Sequence, residues 1–352
     1  MARTTIRTED ITDSSIQSLK NRNRIVNGAM NVDQRHAGTS VSVTNNLYIT
    51  DRFKGYTTTG TYTGQQVSDA PAGFTKSLKL TVTTPQASLG AGDYYAIIQN
   101  IEGFNISDFN WGSADATAVT LSFWVKSSLT GTFSWTFQSG SFTTYVGTFS
   151  ISSANTWQKV TASISGPTTG TWATDASTGI FFCVGLGNGS TYSTSTVNQW
   201  TSGNVFGATG QTNFISTNGA TFYITGVQLE VGEVATPFEH EFFGDTVAKC
   251  QRYYCKSYNL DIVPQTNNAA GRHYFYLSPN TANGNKGSIV SFPVLMRSSP
   301  SVTIYNEASG VAGFFSNGSA ANVIVQGQRS FMGYATTTGQ DMYAHWVADA
   351  EL

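Results

Sequence analysis

The segment TFYITGVQLEV alternates in hydrophobicity with a period of two, as a β-strand does, and the alternation changes phase once. Phe222 and Ile224 share one parity, whereas Val227 and Leu229 share the other. One extra residue in an antiparallel strand moves all following side chains to the opposite face. Gly226 stands where that extra residue is required, and glycine tolerates the backbone of a bulge. We therefore predict a bulged strand whose four apolar residues face one core.

Further segments with this period predict that most of the chain is β-structure. In TLSFWVKSS (120–128) and GTFSWTFQSG (131–140), alternate residues are large and apolar. The residues between them, 129–131, are typical of a turn, so we predict that the two strands form a hairpin. Pro237 is expected to end the last strand of this region, because proline removes a ladder donor. The pattern predicts a β-sandwich over residues 25–243.

The segment GDTVAKCQRYYCKSY (244–258) interrupts the period-two pattern. Its apolar and aromatic residues recur at helical spacing, at Val247, Cys250, Tyr254 and Tyr258. We predict a short helical linker over 244–257. Residues 258–352 are strand-like again and numerous enough for a small distal β-sandwich. Its predicted core consists of Phe275, Val290, Phe292, Val294, Ile304, Val323, Val325 and Trp346.

Residues 1–24 differ from the rest, because they mix basic and acidic side chains and contain no aromatic residue. The few apolar side chains of this segment can bury almost no surface on their own. The segment therefore either docks on a partner or is a frayed terminus. The first alternative makes it an N-terminal attachment segment. Its candidate attachment residues are Ile6, Ile11, Ile16 and Leu19.

The charge pattern excludes several classes of partner. Only 11% of residues are charged and the net charge is −2, so no basic excess points to nucleic acid. The first residues, MARTTIRTED, lack the apolar region of a signal peptide. No apolar run is long enough to cross a bilayer, so we expect no membrane insertion. These features predict a protein made in a cytoplasm without a signal peptide.

Motifs for catalysis or cofactor binding are missing from the sequence. Cys183, Cys250 and Cys255 do not make a disulfide framework, and no Cys/His pairs stand at the spacing of a zinc site. We therefore expect reduced thiols, no metal, no cofactor and no enzymatic activity. A pair of carboxylates for glycoside hydrolysis is the alternative left open, because 21 acidic residues allow a dispersed site.

Aromatic residues are the stronger indication of function. Trp124 is expected to point outward from its strand, and the other candidates lie in or beside polar loops. An exposed ring flanked by hydroxyl and amide side chains suits a sugar, whose C–H groups meet the ring while its hydroxyls meet the polar neighbours. The alternatives are a subunit interface or a ring folded back over the sandwich. The candidate carbohydrate-binding residues are Trp111, Trp124, Trp172, Tyr192 and Trp200.

Several motifs in order resemble a family of bacteriophage and prophage tail-fibre or virion proteins. They are NRIVNGAMNVDQRHAG, YITDRF, TLSFWVKSS, TWQKV, FYITGVQLEVGEVATPFE and CQRYY. The likeness covers roughly residues 24–256, and the portion from FPVLMRSSPSVTIYN to AHWVADAEL looks like the distal domain of such fibres. It implies a jelly-roll β-sandwich related to galactose-binding-like carbohydrate modules. The fold class predicted is therefore all-β, with a jelly roll, a helical linker and a distal β-sandwich.

The resemblance also implies a virion protein that forms homotrimers on a phage tail. The predicted function is a tail fibre that attaches to tail or baseplate proteins through its N-terminus and recognises a host-surface polysaccharide. A purely structural connector and a polysaccharide depolymerase are the two alternatives. The outward aromatics Trp124, Tyr253 and Tyr254 are expected to be covered by self-association. Loops 279–287 and 306–319 of the distal domain are expected to present binding groups.

Overall fold

The structure of the protein is a computed structural model that describes residues 21–275, 286–335 and 342–352. The larger domain is built mostly from antiparallel strands, joined by loops and by short 3-10 helices at Gly103–Phe109, Ser190–Tyr192 and Phe214–Ser216. Its strands in chain order are β1 (Val41–Ser42), β2 (Leu47–Thr50), β3 (Phe53–Tyr56), β4 (Thr61–Val67), β5 (Ser77–Thr84), β6 (Tyr94–Glu102), β7 (Val119–Ser127), β8 (Gly131–Gln138), β9 (Thr143–Ile151), β10 (Gln158–Ile164), β11 (Thr178–Asn188), β12 (Ser193–Thr194), β13 (Trp200–Ser202), β14 (Gly207–Ala208) and β15 (Thr221–Val231).

These strands form a jelly-roll β-sandwich of two antiparallel sheets. The six-stranded sheet has the order β1-β4-β5-β15-β7-β10, and the seven-stranded sheet has the order β13-β9-β8-β11-β6-β3-β2. Alternate residues of both sheets meet in one core that extends from Ile25 to Leu229. β12 and β14 pair in parallel outside the two sheets. The predicted all-β sandwich is confirmed.

The bulge predicted at Gly226 is present in β15. The register of β15 against β7 shifts between Thr225 and Gln228, and the φ angle of Gly226 is +61°. Residues on both sides of the shift, Phe222 and Leu229 among them, are fully buried in the same core. One extra residue therefore keeps the two phases of the alternation on one face.

The hairpin predicted from β7 and β8 is wrong. β7 belongs to the six-stranded sheet and pairs with β10 and β15, whereas β8 belongs to the seven-stranded sheet and pairs with β9 and β11. The turn at 129–131 thus carries the chain from one sheet to the other. Both strands still send alternate apolar residues into the shared core, which is why the sequence pattern is the same in the two cases.

The helix predicted after the sandwich is α1 (Phe243–Gln251), and it is shorter than expected. Asp245 lies in its first turn and Lys249 in its last, each at the end that favours its charge. The helical linker predicted over 244–257 is corrected, because β16 (Tyr254–Lys256) hydrogen-bonds to a distal strand instead of continuing the helix.

The distal domain is a small β-sandwich with a core of its own. Its further strands are β17 (His273–Phe275), β18 (Lys286–Ser291), β19 (Ser301–Tyr305), β20 (Asn322–Val325), β21 (Ser330–Ala335) and β22 (Met342–Asp349). β16, β17 and β19 pair with β22, while β18 and β20 pair with β21. Of the predicted core, Phe275, Val290, Phe292, Ile304 and Trp346 are buried, whereas Val294, Val323 and Val325 are half-buried.

The two domains are joined by buried charges rather than by a linker alone. Arg52 of the large sandwich is 1% exposed and forms an ion pair with Glu351. Glu102, also 1% exposed, pairs with Arg252 and accepts a hydrogen bond of 2.7 Å from the hydroxyl of Tyr253. Tyr253 and Tyr254, expected to point outward, are therefore buried at this intrachain interface.

Across residues 21–275, 286–335 and 342–352, no helix has the length and apolar character needed to cross a membrane. In the same ranges, no group of three or more His, Cys, Asp or Glu side chains is arranged to hold a metal ion. All three cysteines are free and buried. Burial raises the pKa of the Cys183 thiol well above its usual range, so this thiol is a poor nucleophile.

Candidate functional site

Three of the predicted sugar-binding residues form a packed tryptophan cluster at one end of the core. The ring centroids of Trp111 and Trp172 are 4.8 Å apart, and Trp200 lies 5.3 Å from the first and 5.4 Å from the second. Trp111 and Trp172 are each 8% exposed. Each indole N–H donates to a backbone oxygen of the same chain. The exposure expected for Trp111 and Trp172 is therefore not found, because these rings pack edge-to-face over the core, whereas Trp200 is half-buried.

Trp124 points away from the core, as predicted, and is half-buried on the outer face of the six-stranded sheet. It lies opposite Lys159 on one neighbouring strand and Thr225 on the other. A Cβ added to Gly226 would stand 3.0 Å from its Cδ1 atom, so the bulge and this ring are packed together.

Tyr192 belongs to a second aromatic group, which lies on the outer face of the seven-stranded sheet. Its ring stacks on that of Phe206 at 5.0 Å with an interplanar angle of 11°, and Tyr94 meets it edge-on at 5.0 Å. Tyr56 and Phe181 complete the group. We call these five residues the aromatic face: Tyr56, Tyr94, Phe181, Tyr192 and Phe206.

The pleat of three adjacent strands positions most of the aromatic face. β11 pairs with β6, and β6 pairs with β3, so Phe181, Tyr94 and Tyr56 extend from neighbouring strands on the same side. Ala96, Ile98 and Cys183 form an apolar floor beneath the rings. Phe206 is brought over this floor by the loop after β13, where its carbonyl accepts a bond from the Cys183 thiol at 3.5 Å. An outer sheet face with this much apolar surface is unusual, because such faces are normally polar.

Four of the five rings keep part of their surface in solvent. Tyr56, Tyr94, Phe181 and Tyr192 are half-buried, whereas Phe206 is buried. The hydroxyl of Tyr94 accepts a bond of 3.4 Å from Asn45. The hydroxyls of Tyr56 and Tyr192 make no hydrogen bond within the described ranges. Burial raises the pKa of Tyr56, with smaller contributions from Cys183 and Tyr94, so its hydroxyl stays protonated and can donate.

Polar groups lie at one edge of the aromatic face. Lys54 donates to the backbone oxygen of Leu352 at 3.0 Å, and Asn100 donates to the same oxygen at 2.9 Å. Burial lowers the pKa of Lys54 to about 8; Glu351 opposes this shift and Arg52 adds to it. The aromatic face thus combines apolar rings with polar groups at its edge, a combination suited to a ligand with both C–H and hydroxyl groups.

The sequence missed four of the five residues in this face, although one indication of it was present. In YYAIIQNI at the start of β6, both parities carry apolar residues, and Tyr95 enters the core while its neighbour Tyr94 points outward. When both the odd and the even residues of a strand are apolar, both faces of the sheet at that strand are either covered by other parts of the protein or used for binding.

The remaining predicted elements lie elsewhere. Ile6, Ile11, Ile16 and Leu19 fall outside the described residues, as does nearly all of loop 279–287. Loop 306–319 is an ordered series of turns rather than a free loop. Asn306 is 9% exposed there, and its side chain donates to the backbone oxygen of Phe315 at 2.6 Å and accepts from two backbone N–H groups.

No family model matches the sequence, and no curated protein matches it. Among solved structures, the chain is similar to the enzymatically active domain of tailspike protein 4 of bacteriophage CBA120, with 15% identity and a TM-score of 0.32. That match covers 60% of this chain and 22% of the tailspike chain, so it spans less than a quarter of that protein.

Two carbohydrate-binding domains are similar at the same level. A family 11 carbohydrate-binding module of a cellulosomal cellulase of Clostridium thermocellum has 11% identity and a TM-score of 0.30, over 58% of this chain and 99% of the module. The N-terminal cellulose-binding domain of Cellulomonas fimi beta-1,4-glucanase C has 12% identity and a TM-score of 0.30, over 52% of this chain and 90% of that domain. At this level of similarity, the function has to be argued from this chain's own residues.

Proposed function

We propose that the protein is a phage tail-fibre protein that binds a neutral host-surface polysaccharide at the aromatic face. The observation that carries the proposal is the cluster of half-exposed rings on an outer sheet face, two of whose hydroxyls have no partner in the described part of the chain. Ring faces accept the C–H groups of a sugar, and the free hydroxyls of Tyr56 and Tyr192 pair with sugar hydroxyls. The low charge of the chain supports a neutral ligand.

The test compares equivalent tyrosines on the two outer faces of the sandwich. Glycan-array binding is measured for the full chain, for Tyr192→Ala and for a matched control, Tyr223→Ala, whose half-buried ring lies on the six-stranded sheet. Loss of one stacked ring is expected to weaken binding about tenfold, which corresponds to about 1.4 kcal/mol. Tyr223→Ala is expected to bind as the wild type does. Equal binding by all three proteins counts against the aromatic face.

We propose further that binding occurs without catalysis. The alternative, a depolymerase, predicts that the protein releases reducing ends from the polysaccharide it binds. Incubation with that polysaccharide is expected to release none, and measurable release would replace the binding proposal by the enzymatic one. A structural connector without glycan binding is the outcome if no glycan on the array is retained.

The assembly proposed is a homotrimer attached to the tail through residues 1–24. The resemblance to tail fibres supports it, and so does a row of apolar residues across the three-stranded distal sheet, where Ile289 and Ile324 both pair with Met332. Ile289 is 62% exposed and Ile324 38%. Light scattering of the full chain is expected to give three times the mass of 37.8 kDa. A stable monomer at micromolar concentration contradicts the trimer and leaves the sugar site in place.

A further inference from the structure

A cavity lies between the large sandwich and the distal domain, and we call it the interdomain cleft. Its volume is about 460 Å³, within the range of roughly 300–1,000 Å³ that small-ligand sites occupy. Arg35 and Tyr48 line it from the sandwich, whereas Tyr254, Thr303 and Tyr305 line it from the distal side. It is therefore bounded by rings on both sides.

The charged groups in the wall of the cleft are already neutralised. Arg35 pairs with Asp349 at 3.1 Å and with Glu351 at 3.2 Å, and its guanidinium lies 3.7 Å from the ring centre of Tyr254. The Nε2 atom of His36 lies 2.9 Å from the backbone oxygen of Tyr48. An anionic ligand would have to displace these internal partners, so the wall favours an uncharged one.

Hydroxyl groups, by contrast, are left without partners in this wall. The side-chain hydroxyls of Tyr254, Tyr305 and Thr303 make no hydrogen bond within residues 21–275, 286–335 and 342–352. Tyr254 is 4% exposed and Tyr305 is 9% exposed. None of these three hydroxyl oxygens is among the described side-chain atoms that are both cut off from solvent and unpaired, so they face the open cleft. Ligand hydroxyl groups can take the place of water on them.

The cleft adjoins the aromatic face. Tyr48, which lines the cleft, and Tyr56, which belongs to the aromatic face, extend from paired strands on the same side of the seven-stranded sheet. The ammonium group of Lys54 lies 5.6 Å from the ring centre of Tyr48 and 5.8 Å from that of Tyr56. Lys54 and the backbone oxygen of Leu352, which also accepts a bond of 2.9 Å from the Tyr48 hydroxyl, lie between the two sites.

We propose that the interdomain cleft is a second sugar-binding subsite that continues the aromatic face. The ligand is then an internal stretch of a neutral polysaccharide, held at both sites, rather than a single terminal sugar. This inference rests on the proposed function of the aromatic face. It adds that the two domains bind one glycan chain together.

The test measures how affinity depends on ligand length. The probes are neutral gluco-, galacto- and manno-oligosaccharides of two and six units, titrated calorimetrically into the full chain. A hexasaccharide that reaches both sites is expected to bind about tenfold more tightly, or more, than its disaccharide, because the second contact is intramolecular.

Variants separate the two sites. Tyr305→Phe removes only a hydroxyl and keeps the packing, and Tyr305→Ala removes the ring; both are expected to reduce the length-dependent gain and leave disaccharide binding unchanged. Tyr192→Ala is expected to weaken both ligands. Tyr223→Ala, on the outer face of the six-stranded sheet, is again the control and is expected to change neither.

The outcomes distinguish the two proposals. If the Tyr305 variants keep the full length-dependent gain while Tyr192→Ala weakens binding, the cleft proposal is overturned and the aromatic face stands. If only the Tyr305 variants lose affinity, the cleft binds sugar and the aromatic face does not. If no oligosaccharide binds the wild type, both proposals fail.

Discussion

The two outer faces of the large sandwich both carry aromatic rings, but the rings are engaged differently. On the six-stranded sheet, the ammonium of Lys126 lies 4.3 Å from the ring centre of Tyr223 and 5.1 Å from that of Trp157. Asp69 pairs with this lysine and accepts a bond of 3.3 Å from the Trp157 indole. On the seven-stranded sheet, the rings of the aromatic face contact one another and an apolar floor. Within the described ranges, the nearest cation to this group is Lys54, 5.8 Å from the ring centre of Tyr56. The rings of the six-stranded sheet are thus engaged by a closer cation and its ion pair, so exposure of a ring alone is a weak indication of a binding site.

The largest expected effect comes from Glu351→Ala, which breaks the buried ion pair between the seven-stranded sheet and the distal domain. Arg52 would be left buried and unpaired, so the free energy of unfolding is expected to fall by about 3–5 kcal/mol. Urea denaturation measures the loss. Glu307→Ala breaks the more exposed pair with Arg272 and is the control, with an expected change below about 1 kcal/mol. A Glu351→Ala protein as stable as this control would show that the interface charges are not what joins the domains.

The next effect is a pH dependence that differs between the two faces. Burial raises the pKa of Asp51, at the covered end of the seven-stranded sheet, to about 7, whereas a hydrogen bond from Lys126 lowers the pKa of Asp69 on the other face. A carboxyl group whose pKa is higher in the folded than in the unfolded chain favours folding while it is protonated. For Asp51 this contribution is complete below about pH 4, the pKa region of an aspartate in the unfolded chain, and is lost as the pH rises through 7.

Asp51→Asn tests that sign. The wild type is expected to lose a few kcal/mol at most between pH 4 and pH 7, at about 1.4 kcal/mol per unit of pKa shift. The bonds that Asp51 accepts from Gln34, at 2.6 and 2.7 Å, favour the ionised form and reduce the loss. The variant is expected to show a flatter profile in this window. A wild-type stability that rises steadily over this range would contradict the assignment.

A smaller effect is expected from Gly226→Ala in the six-stranded sheet. A Cβ at this position would stand 2.6 Å from Phe74, and the positive φ angle adds backbone strain of about 1–3 kcal/mol. Gly73→Ala is the matched control, because Gly73 has a φ of +90° and an added Cβ meets nothing within 4 Å. The melting temperature is expected to fall further for Gly226→Ala, while glycan binding on the opposite sheet stays unchanged.

The smallest effect is expected from Lys126→Met. It removes an ion pair whose acidic partner is 49% exposed, so the free energy of unfolding is expected to change by less than about 1 kcal/mol. The tryptophan fluorescence of Trp157 is expected to shift, because its ring loses a cation. Lys79 would still lie 5.7 Å from the ring centre of Tyr223. If the variant nevertheless bound glycan on this face, the contrast between the two faces would rest largely on Lys126.

The sequence predicts those features of the fold that depend on local periodicity. The bulge at Gly226 follows from a change of parity within a single strand. The passage of the chain from one sheet to the other between β7 and β8 does not follow from the sequence. A hairpin within one sheet and a connection between two sheets give the same alternation of apolar residues. Strand partners are chosen by contacts distant in the chain, which one sequence does not display.

The candidate site was less predictable for the same reason. Polar loops around Trp111 and Trp172 suggested exposure, but each ring is covered by others from separate segments. The aromatic face combines residues from three strands, β3, β6 and β11, with Tyr192 and Phe206 from the polar segment 189–213, and of these the sequence singled out only Tyr192.

The ion pair between Arg52 and Glu351 also imposes an order of assembly. The two residues are 299 positions apart in the chain, whereas the sandwich core is complete with residues up to Leu229. During synthesis the sandwich can therefore fold while Arg52 and Glu102 are still hydrated, and the joint between the domains closes last. The interdomain cleft exists only after that step, so a chain interrupted late in translation would carry a folded sandwich with half of its proposed binding surface.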